Sequence, residues 1–147
     1  MSEVKTGALS FLREHLTLTM ATASKDGIPN ATPHEYASDD WLVFVEISRN
    51  HVAVQNLREN PWVHYEIHDS IAPGTADSFR VLQILASGVI YSSESSEFDE
   101  YWNKLESRFP YMKMFPKDTR VVLAFEPKEG TLIELSRTGL RRNPLRF

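Results

Sequence analysis

The feature that most constrains the fold is a series of short segments in which apolar and polar residues alternate. In the stretch LTLTMATAS, Leu16, Leu18 and Met20 fall on one side and are separated by threonines and alanine. A period of two is typical of a strand with one buried face. The pair Asp26-Gly27 follows, and both residues tolerate the positive φ of a hairpin turn. These residues predict a β-hairpin near the start of the chain.

The second strand of this hairpin, over residues 28–36, is unusual in its prolines. Pro29 and Pro33 lack the N–H group that a ladder hydrogen bond needs. The strand is therefore predicted to lie at a sheet edge or to contain a bulge, and bulged strands often border functional sites.

The rest of the chain also consists of short segments with the patterns of helices and strands. A short amphipathic helix is predicted at the N-terminus. A second helix is predicted between Asn50, as its N-cap, and the stop Asn60-Pro61, and a third between Ser96, whose S-x-x-D spacing to Asp99 indicates a cap, and Pro110. Residues 70–78 are predicted to form a loop. Further strands are predicted over residues 41–47, 62–68, 79–91, 119–127 and 131–135. A bend or bulge is predicted at Gly88, and a turn at Lys128-Glu129-Gly130 is predicted to join the last two strands. About six strands joined mostly by hairpins predict a mainly β fold with short helices, arranged as a small antiparallel barrel.

Composition excludes several classes of protein. The chain of 147 residues suits one domain, and without cysteine it has no disulfide framework, thiolate zinc site or cysteine nucleophile. A net charge of −4 argues against a nucleic-acid partner. The N-terminal stretch carries Glu3 and Glu14 and no long apolar run, so neither a signal peptide nor a membrane span is predicted. The expectation is a soluble cytoplasmic protein with no membrane partner.

The stretch SRNHVAVQNLRENPW, which follows the strand over 41–47, has two interpretations. Arg49 and His51 are able to hold an anion, and a helix N-terminus favours a phosphate. The same residues also suit an ordinary helix cap and a solvated turn.

The order of motifs resembles the pyridoxamine 5′-phosphate oxidase-like family of FMN-binding split barrels, including its general stress protein-like members. The resemblance covers residues 16–91 and extends weakly to residue 135. Three groups of residues carry it: Ala21-Thr22 followed by Gly27-Ile28-Pro29, then Asn56-Leu57 followed by Asn60-Pro61, and more loosely Arg80, Gln83 and Gly88.

The resemblance implies one FMN-binding domain over residues 1–147, a six-stranded antiparallel split β-barrel that forms a homodimer with its cofactor sites at the interface. The flavin ring is then expected along the second and third strands, and the phosphate near the start of the following helix. The cofactor-binding residues that it implies are Thr32, Pro33, His34, Glu35, Ile47, Ser48, Arg49, His51 and Gln83.

Three positions depart from the family pattern. The Lys that many members place three residues before the helix Asn is Ala53 here, and the Ser or Thr often found two residues before that Lys is His51. Arg49 and His51 can replace the lost charge, or the site has lost its flavin. Thr32 stands where the pyridoxine-pathway oxidases have Arg, which argues against pyridoxamine phosphate as the substrate.

Other residues have a functional and an ordinary interpretation. Gln83 either reaches a flavin edge or faces solvent. Glu46 is expected to face water or a ligand, and a solvated barrel exterior is the simpler explanation. Trp41 and Trp62 either line a dimer seam or pack within the chain. The histidines have no metal-site spacing, so no metal is predicted.

The basic C-terminal tail, residues 137–147, has two interpretations. It contains Arg137, Arg141, Arg142 and Arg146 and no acid. It either folds over a phosphate or a partner subunit, or it is disordered.

The function that the resemblance implies is an FMN-dependent oxidoreductase acting on an unknown small molecule. The flavin would carry the redox chemistry, so no encoded acid or base is required. The alternative is a non-catalytic cofactor-binding or stress-related protein on the same barrel, with flavin, haem or deazaflavin as its ligand.

Overall fold

A computed structural model of the chain describes residues 1–70 and 78–147, and in them three α-helices and eight β-strands. The helices are α1 (Glu3–Glu14), α2 (Val52–Glu59) and α3 (Ser96–Arg108), and short 3₁₀ helices cover Pro110–Met114 and Lys117–Thr119. The strands are β1 (Thr17–Ala23), β2 (Pro29–Glu35), β3 (Ala37–Asp39), β4 (Leu42–Ser48), β5 (Trp62–His68), β6 (Ser78–Ser92), β7 (Arg120–Ser136) and β8 (Gly139–Arg146).

All strand pairs are antiparallel and belong to one sheet with the order β2-β1-β5-β6-β7-β4-β3, in which β8 pairs with β7. The sheet wraps around a continuous apolar core. The prediction of a mainly β antiparallel split barrel is confirmed, although the described residues form eight strands rather than six. Two strands were not predicted: β3 is too short to show a period, and β8 lies in the basic segment.

Two cores explain why the strand over 42–48 is almost entirely apolar. Val43, Val45 and Ile47 point into the barrel core. Phe44, on the opposite face, packs in a second core beneath α3 together with Trp102. Because β4 is covered on both faces, its sequence lacks the alternation of a half-exposed strand.

The first hairpin forms as predicted. Gly27 has a φ of 82°, which a residue with a side chain adopts only with strain. β2 lies at the end of the sheet and pairs only with β1, in a continuous register from Thr17↔Glu35 to Ala23↔Pro29. The prediction of an edge strand is confirmed, and β2 contains no bulge.

The turn predicted at Lys128-Glu129-Gly130 is wrong, because β7 runs through it as one strand of 17 residues. Its pairing with β6 passes from Leu85↔Glu129 to Ala86↔Pro127. Lys128 is therefore the extra residue of a β-bulge. Long pairing with β6 overrides the local turn signal.

The irregularity predicted at Gly88 lies instead at this bulge. Gly88 pairs regularly with Phe125 and lies against α2. A Cβ there would meet Leu57 Cδ2 at 3.0 Å and Val63 Cγ2 at 3.1 Å. The glycine is thus explained by the close approach of α2 to the sheet.

The helix ends are confirmed, but both predicted N-caps are displaced by one residue. The cap of α2 is His51 rather than Asn50, and the cap of α3 is Ser95 rather than Ser96. α2 stops before Asn60-Pro61, and α3 stops before Pro110. Proline thus marks the ends of helices more sharply than capping residues mark their starts.

Most of the basic segment is an ordered strand. β8 pairs with β7 from Ser136↔Gly139 to Glu129↔Arg146, and Arg141 lies opposite Glu134. Lys5 Nζ in α1 donates to the Arg146 carbonyl at 2.6 Å. The segment is therefore part of the sheet.

The loop predicted over residues 70–78 lies largely outside the described part of the chain. Ser78 of the predicted loop begins β6, and residues 71–77 lie outside the described residues. None of the described helices is long and apolar enough to cross a membrane.

Candidate functional site

Six of the nine predicted cofactor-binding residues line one cleft between β2, the end of β4, the start of α2 and the end of α3. Its volume is about 380 Å³, within the range of ~300–1,000 Å³ typical of small-molecule sites. We call it the β2–β4 cleft. Its walls are Pro33, His34, Glu35, Glu46, Ile47, Ser48, His51, Leu105, Phe109, Tyr111, Met112 and Arg120.

The edge position of β2 creates this cleft. His34 lies directly opposite Leu18 of β1, which is buried in the barrel core, so the His34 side chain shares the inner face of the sheet. No strand pairs with the other edge of β2 within the described residues. Thr32 is not in the wall, but its Oγ1 lies 2.7 Å from His34 Nε2 and orients that ring.

The two histidines of the cleft are close together. The ring centroids of His34 and His51 are 5.4 Å apart in an edge-to-face arrangement. Burial, and secondarily His51, lowers the pKa of His34 to about 4. Burial also lowers the pKa of His51 below its ordinary value. Both rings are therefore neutral at pH 7.

His51 also caps α2. Its Nδ1 accepts a hydrogen bond from the Ala53 N–H at 3.0 Å. A neutral ring in this geometry does not supply the positive charge that the sequence analysis assigned to it as a substitute for the missing Lys.

Arg49 is not one of the residues that line the cleft, although it directly follows Ser48 of the cleft wall. One N–H of its exposed guanidinium, Nη1, donates to the Asp118 carbonyl at 3.3 Å. The remaining guanidinium N–H groups give it capacity for an anion. Arg49 is thus the cation nearest in sequence to the predicted phosphate position.

Backbone N–H groups at the start of α2 are less available than the sequence suggested. The Arg49 N–H donates to Thr119, that of His51 donates to Ser48, and those of Ala53 and Val54 donate to His51. A phosphate here would depend more on Arg49 than on the helix end.

Gln83 lies away from this cleft. On β6, Leu82 and Ile84 are buried in the barrel core, and Gln83 faces outward. It lines a separate groove of about 450 Å³ that also contains His64 and Arg146. The predicted nine residues therefore do not converge within one chain.

The sequence analysis missed an ion pair and a tyrosine in the cleft. Arg120 Nε donates to Glu46 Oε2 at 2.7 Å, and the two side chains are 22% and 11% exposed. Glu46 was expected on the solvated exterior. The sequence contained one indication that Glu46 is not fully solvated. Phe44 is apolar and lies on the same face of β4 as Glu46, which indicates that other residues cover this face.

Tyr111 also lines the cleft and is 46% exposed. Burial, with the neighbouring Glu35, raises the pKa of Tyr111 to about 12. Its hydroxyl therefore stays protonated at neutral pH. It is a hydrogen-bond donor that the sequence offered no pattern to find.

His34 is expected to make the protein less stable in acid. Its pKa is about 4 in the folded chain and near the ordinary 6.5 when unfolded, so only the unfolded chain takes up the proton between these values. The stability that neutral His34 contributes is fully present above pH 6.5 and is lost as the pH falls towards 4. This loss lowers the free energy of unfolding by about 1–3 kcal/mol. Urea denaturation of the wild type and His34→Gln at pH 7 and pH 4.5 measures this.

Because the other groups titrate in both proteins, the difference between the two pH profiles isolates His34. The wild type is expected to lose more stability than His34→Gln on acidification. Parallel profiles would show that His34 is not held neutral.

No three His, Cys, Asp or Glu side chains of the described residues converge to hold a metal ion.

Comparison with known proteins identifies the family. One solved structure with this fold is the heme storage protein HutZ of Vibrio cholerae (19% identity, 89% of this chain and 94% of that chain covered, TM-score 0.72). Another is general stress protein 26 of Bacillus anthracis (14% identity, 99% of this chain and 100% of that chain covered, TM-score 0.69). A third is an FAD-binding protein of Mesorhizobium loti (16% identity, 92% of this chain and 96% of that chain covered, TM-score 0.71). At such low sequence identities, the similarity to these structures shows the fold alone. A search of the curated proteins gave no significant match. The sequence model of pyridoxamine 5′-phosphate oxidase matches residues 5–134, and the chain belongs to that family.

Proposed function

We propose that the chain is an oxidoreductase that holds FMN in the β2–β4 cleft and acts on a small-molecule substrate. The observation that carries this proposal is the convergence of six predicted cofactor-binding residues in one cleft of suitable volume. The family of the chain and an FAD-binding protein among its structural neighbours support a flavin as the ligand.

The chemistry of the cleft fits a flavin. Ile47, Leu105, Phe109 and Met112 offer apolar surface to a planar ring. Polar groups of the wall such as Ser48, together with Arg49 next to it in the chain, offer hydrogen bonds to the oxygens and the phosphate of the flavin. When bound, the flavin supplies the redox chemistry, and the chain's own residues position it and exclude water from it.

Arg49→Ala is expected to weaken FMN binding by about tenfold or more. Arg49 is the cation that replaces the missing Lys, and a hydrogen bond to a charged group contributes about 1.5–3 kcal/mol. Quenching of flavin fluorescence on titration measures the dissociation constants of the wild type and the variant.

Arg58→Ala is a matched control, because Arg58 is an exposed residue in the last turn of α2, away from the cleft wall. Its affinity should equal that of the wild type. Equal affinities for the wild type and Arg49→Ala would exclude Arg49 from the site.

The visible spectrum of the purified protein, before and after addition of FMN, tests the proposal as a whole. Bound flavin bands support it. A Soret band would favour the haem alternative, since HutZ is a heme storage protein of the same fold. If the protein does not bind FMN, the proposed flavin-dependent function is wrong.

We also propose that the chain forms a homodimer with the cofactor at the interface. Gln83 lies on a different face from the cleft, so Gln83 of a second copy is better placed to complete the site. Trp62 is 51% exposed and suits the seam. Trp41 is buried and packs edge-to-face on Phe147 at 4.9 Å within the chain.

Sedimentation velocity at micromolar concentration should therefore give the mass of a dimer, the commonest closed assembly. Trp62→Lys is expected to shift the distribution towards the monomer. A monomeric wild type would refute the shared site.

A further inference from the structure

The structure assigns to His51 a role different from the charged anion clamp that the sequence suggested. We infer that His51 is a neutral hydrogen-bond donor that offers its Nε2–H to an oxygen of the ligand in the β2–β4 cleft. The inference rests on the proposed function, because it specifies how the ligand of that site is held.

The helix cap fixes the tautomer of His51. Nδ1 accepts the Ala53 N–H at 3.0 Å, so this nitrogen presents its lone pair and carries no proton. A neutral imidazole has one proton, which must then be on Nε2. A proton on Nδ1 would face the Ala53 N–H and break the cap.

The helix end also opposes a charged ring. The first turn of α2 contains no acidic residue, and the N-terminus of a helix has a positive partial charge. An imidazolium at this position would be repelled by the helix end. Burial acts in the same direction on the pKa of His51.

The neighbours of His51 leave its donor unused. Across the cleft are the His34 ring and the Glu46 carboxylate, which is already paired with Arg120. Tyr111 and Glu35 lie together in the cleft wall. Within the described residues, the hydrogen bonds of the His51 side chain comprise only that from Ala53 to Nδ1.

This geometry selects the class of ligand. A neutral N–H donor binds an oxygen acceptor such as a ring carbonyl or a phosphate. It does not bind a metal centre, because the nitrogen that is free to coordinate carries the proton. His51 is thus suited to a flavin oxygen and not to haem iron.

The donor is tested with His51→Gly. Glycine is tolerated at an N-cap and has no side-chain donor, whereas the hydroxyl of a serine would itself donate to the ligand. FMN affinity is expected to fall by about tenfold, the effect of one hydrogen bond to a charged or strongly polar oxygen. His68→Gly is the matched control, because His68 is an exposed histidine at the end of β5 paired with Glu66 outside the cleft.

Riboflavin, which lacks the phosphate, separates the two possible acceptors. If His51 donates to the phosphate, His51→Gly weakens FMN binding and leaves riboflavin binding unchanged. If it donates to a ring carbonyl, the variant weakens both. Either result supports the inference.

The tautomer is measured without any ligand by ¹H–¹⁵N NMR of the histidine rings. His51 is expected to be neutral at pH 7.5 with its proton on Nε2. A proton on Nδ1, or a charged ring at that pH, would overturn the inference.

The outcomes are distinguishable. Equal FMN affinity of the wild type and His51→Gly overturns the role of His51 and leaves the proposed function intact. Failure of the wild type to bind flavin overturns the proposed function and, with it, the ligand contact of His51. The NMR spectrum still decides the tautomer in that case.

Discussion

Trp102→Ala is expected to lower the free energy of unfolding by about 3–5 kcal/mol, the range for removing a large buried aromatic side chain. Trp102 is 1% exposed and is the largest fully buried side chain. It packs with Phe98 at a centroid distance of 5.3 Å in the core between α3 and the outer faces of β4 and β7. Its loss leaves a cavity beneath α3 that the rigid sheet cannot fill.

The effect should extend to the cleft, because α3 also carries Leu105 of the cleft wall. Urea denaturation gives the stability, and flavin titration of the still-folded variant gives the affinity.

Trp102→Phe is the control for this variant. It keeps most of the apolar volume and removes an indole N–H that has no hydrogen-bond partner among the described residues. It should therefore cost much less than Trp102→Ala. Equal costs for the two variants would show that the cavity is not the cause.

Gly130→Ala is expected to destabilise the protein by about 2–3 kcal/mol, near the upper end of the usual cost of overpacking. Gly130 lies opposite Ile84 in the β6–β7 ladder. A Cβ there would meet Ile84 Cδ1 at 2.5 Å and the Gln83 carbonyl oxygen at 2.9 Å. The Ile84 side chain can rotate only within a packed core, and the carbonyl belongs to the backbone, so the strands must separate.

Gly7→Ala provides the matched control. Gly7 lies within α1, and a Cβ there would meet nothing within 4 Å. The same substitution at this position should stabilise the protein by about 0.5–1 kcal/mol, because alanine favours a helix interior. Thermal denaturation of both variants should thus show shifts of opposite sign. A neutral Gly130→Ala would show that the ladder tolerates a side chain at that point.

Much of the fold could be predicted because its signals are local. The alternation of Leu18 and Met20, the Asp26-Gly27 turn and the prolines of β2 act within a few residues of chain. They were sufficient for the first hairpin and its edge strand. Pro61 and Pro110 marked the ends of two helices for the same reason, since proline restricts the residue before it.

Within the candidate site, the sequence predicted positions better than roles. The segments that contain His34, Ser48 and His51 do meet in one cleft. The neutral state of His51 depends on its bond to Ala53 and on burial, and neither is encoded by the residue type alone. The Glu46–Arg120 pair joins residues 74 positions apart, and no local pattern reports such a contact.

What the sequence determined by itself was a mainly β antiparallel chain with capped helices, an edge strand rich in proline and a polar segment before α2. Only the tertiary structure decided that β7 continues through Gly130, that the basic C-terminal segment forms β8, and that Gln83 faces away from the cleft. The reason is that local signals act over a few bonds, whereas strand pairing sums many hydrogen bonds and buried contacts between distant residues. Where the two disagreed, as at Lys128-Glu129-Gly130, the long ladder with β6 and the bulge at Lys128 prevailed over the turn.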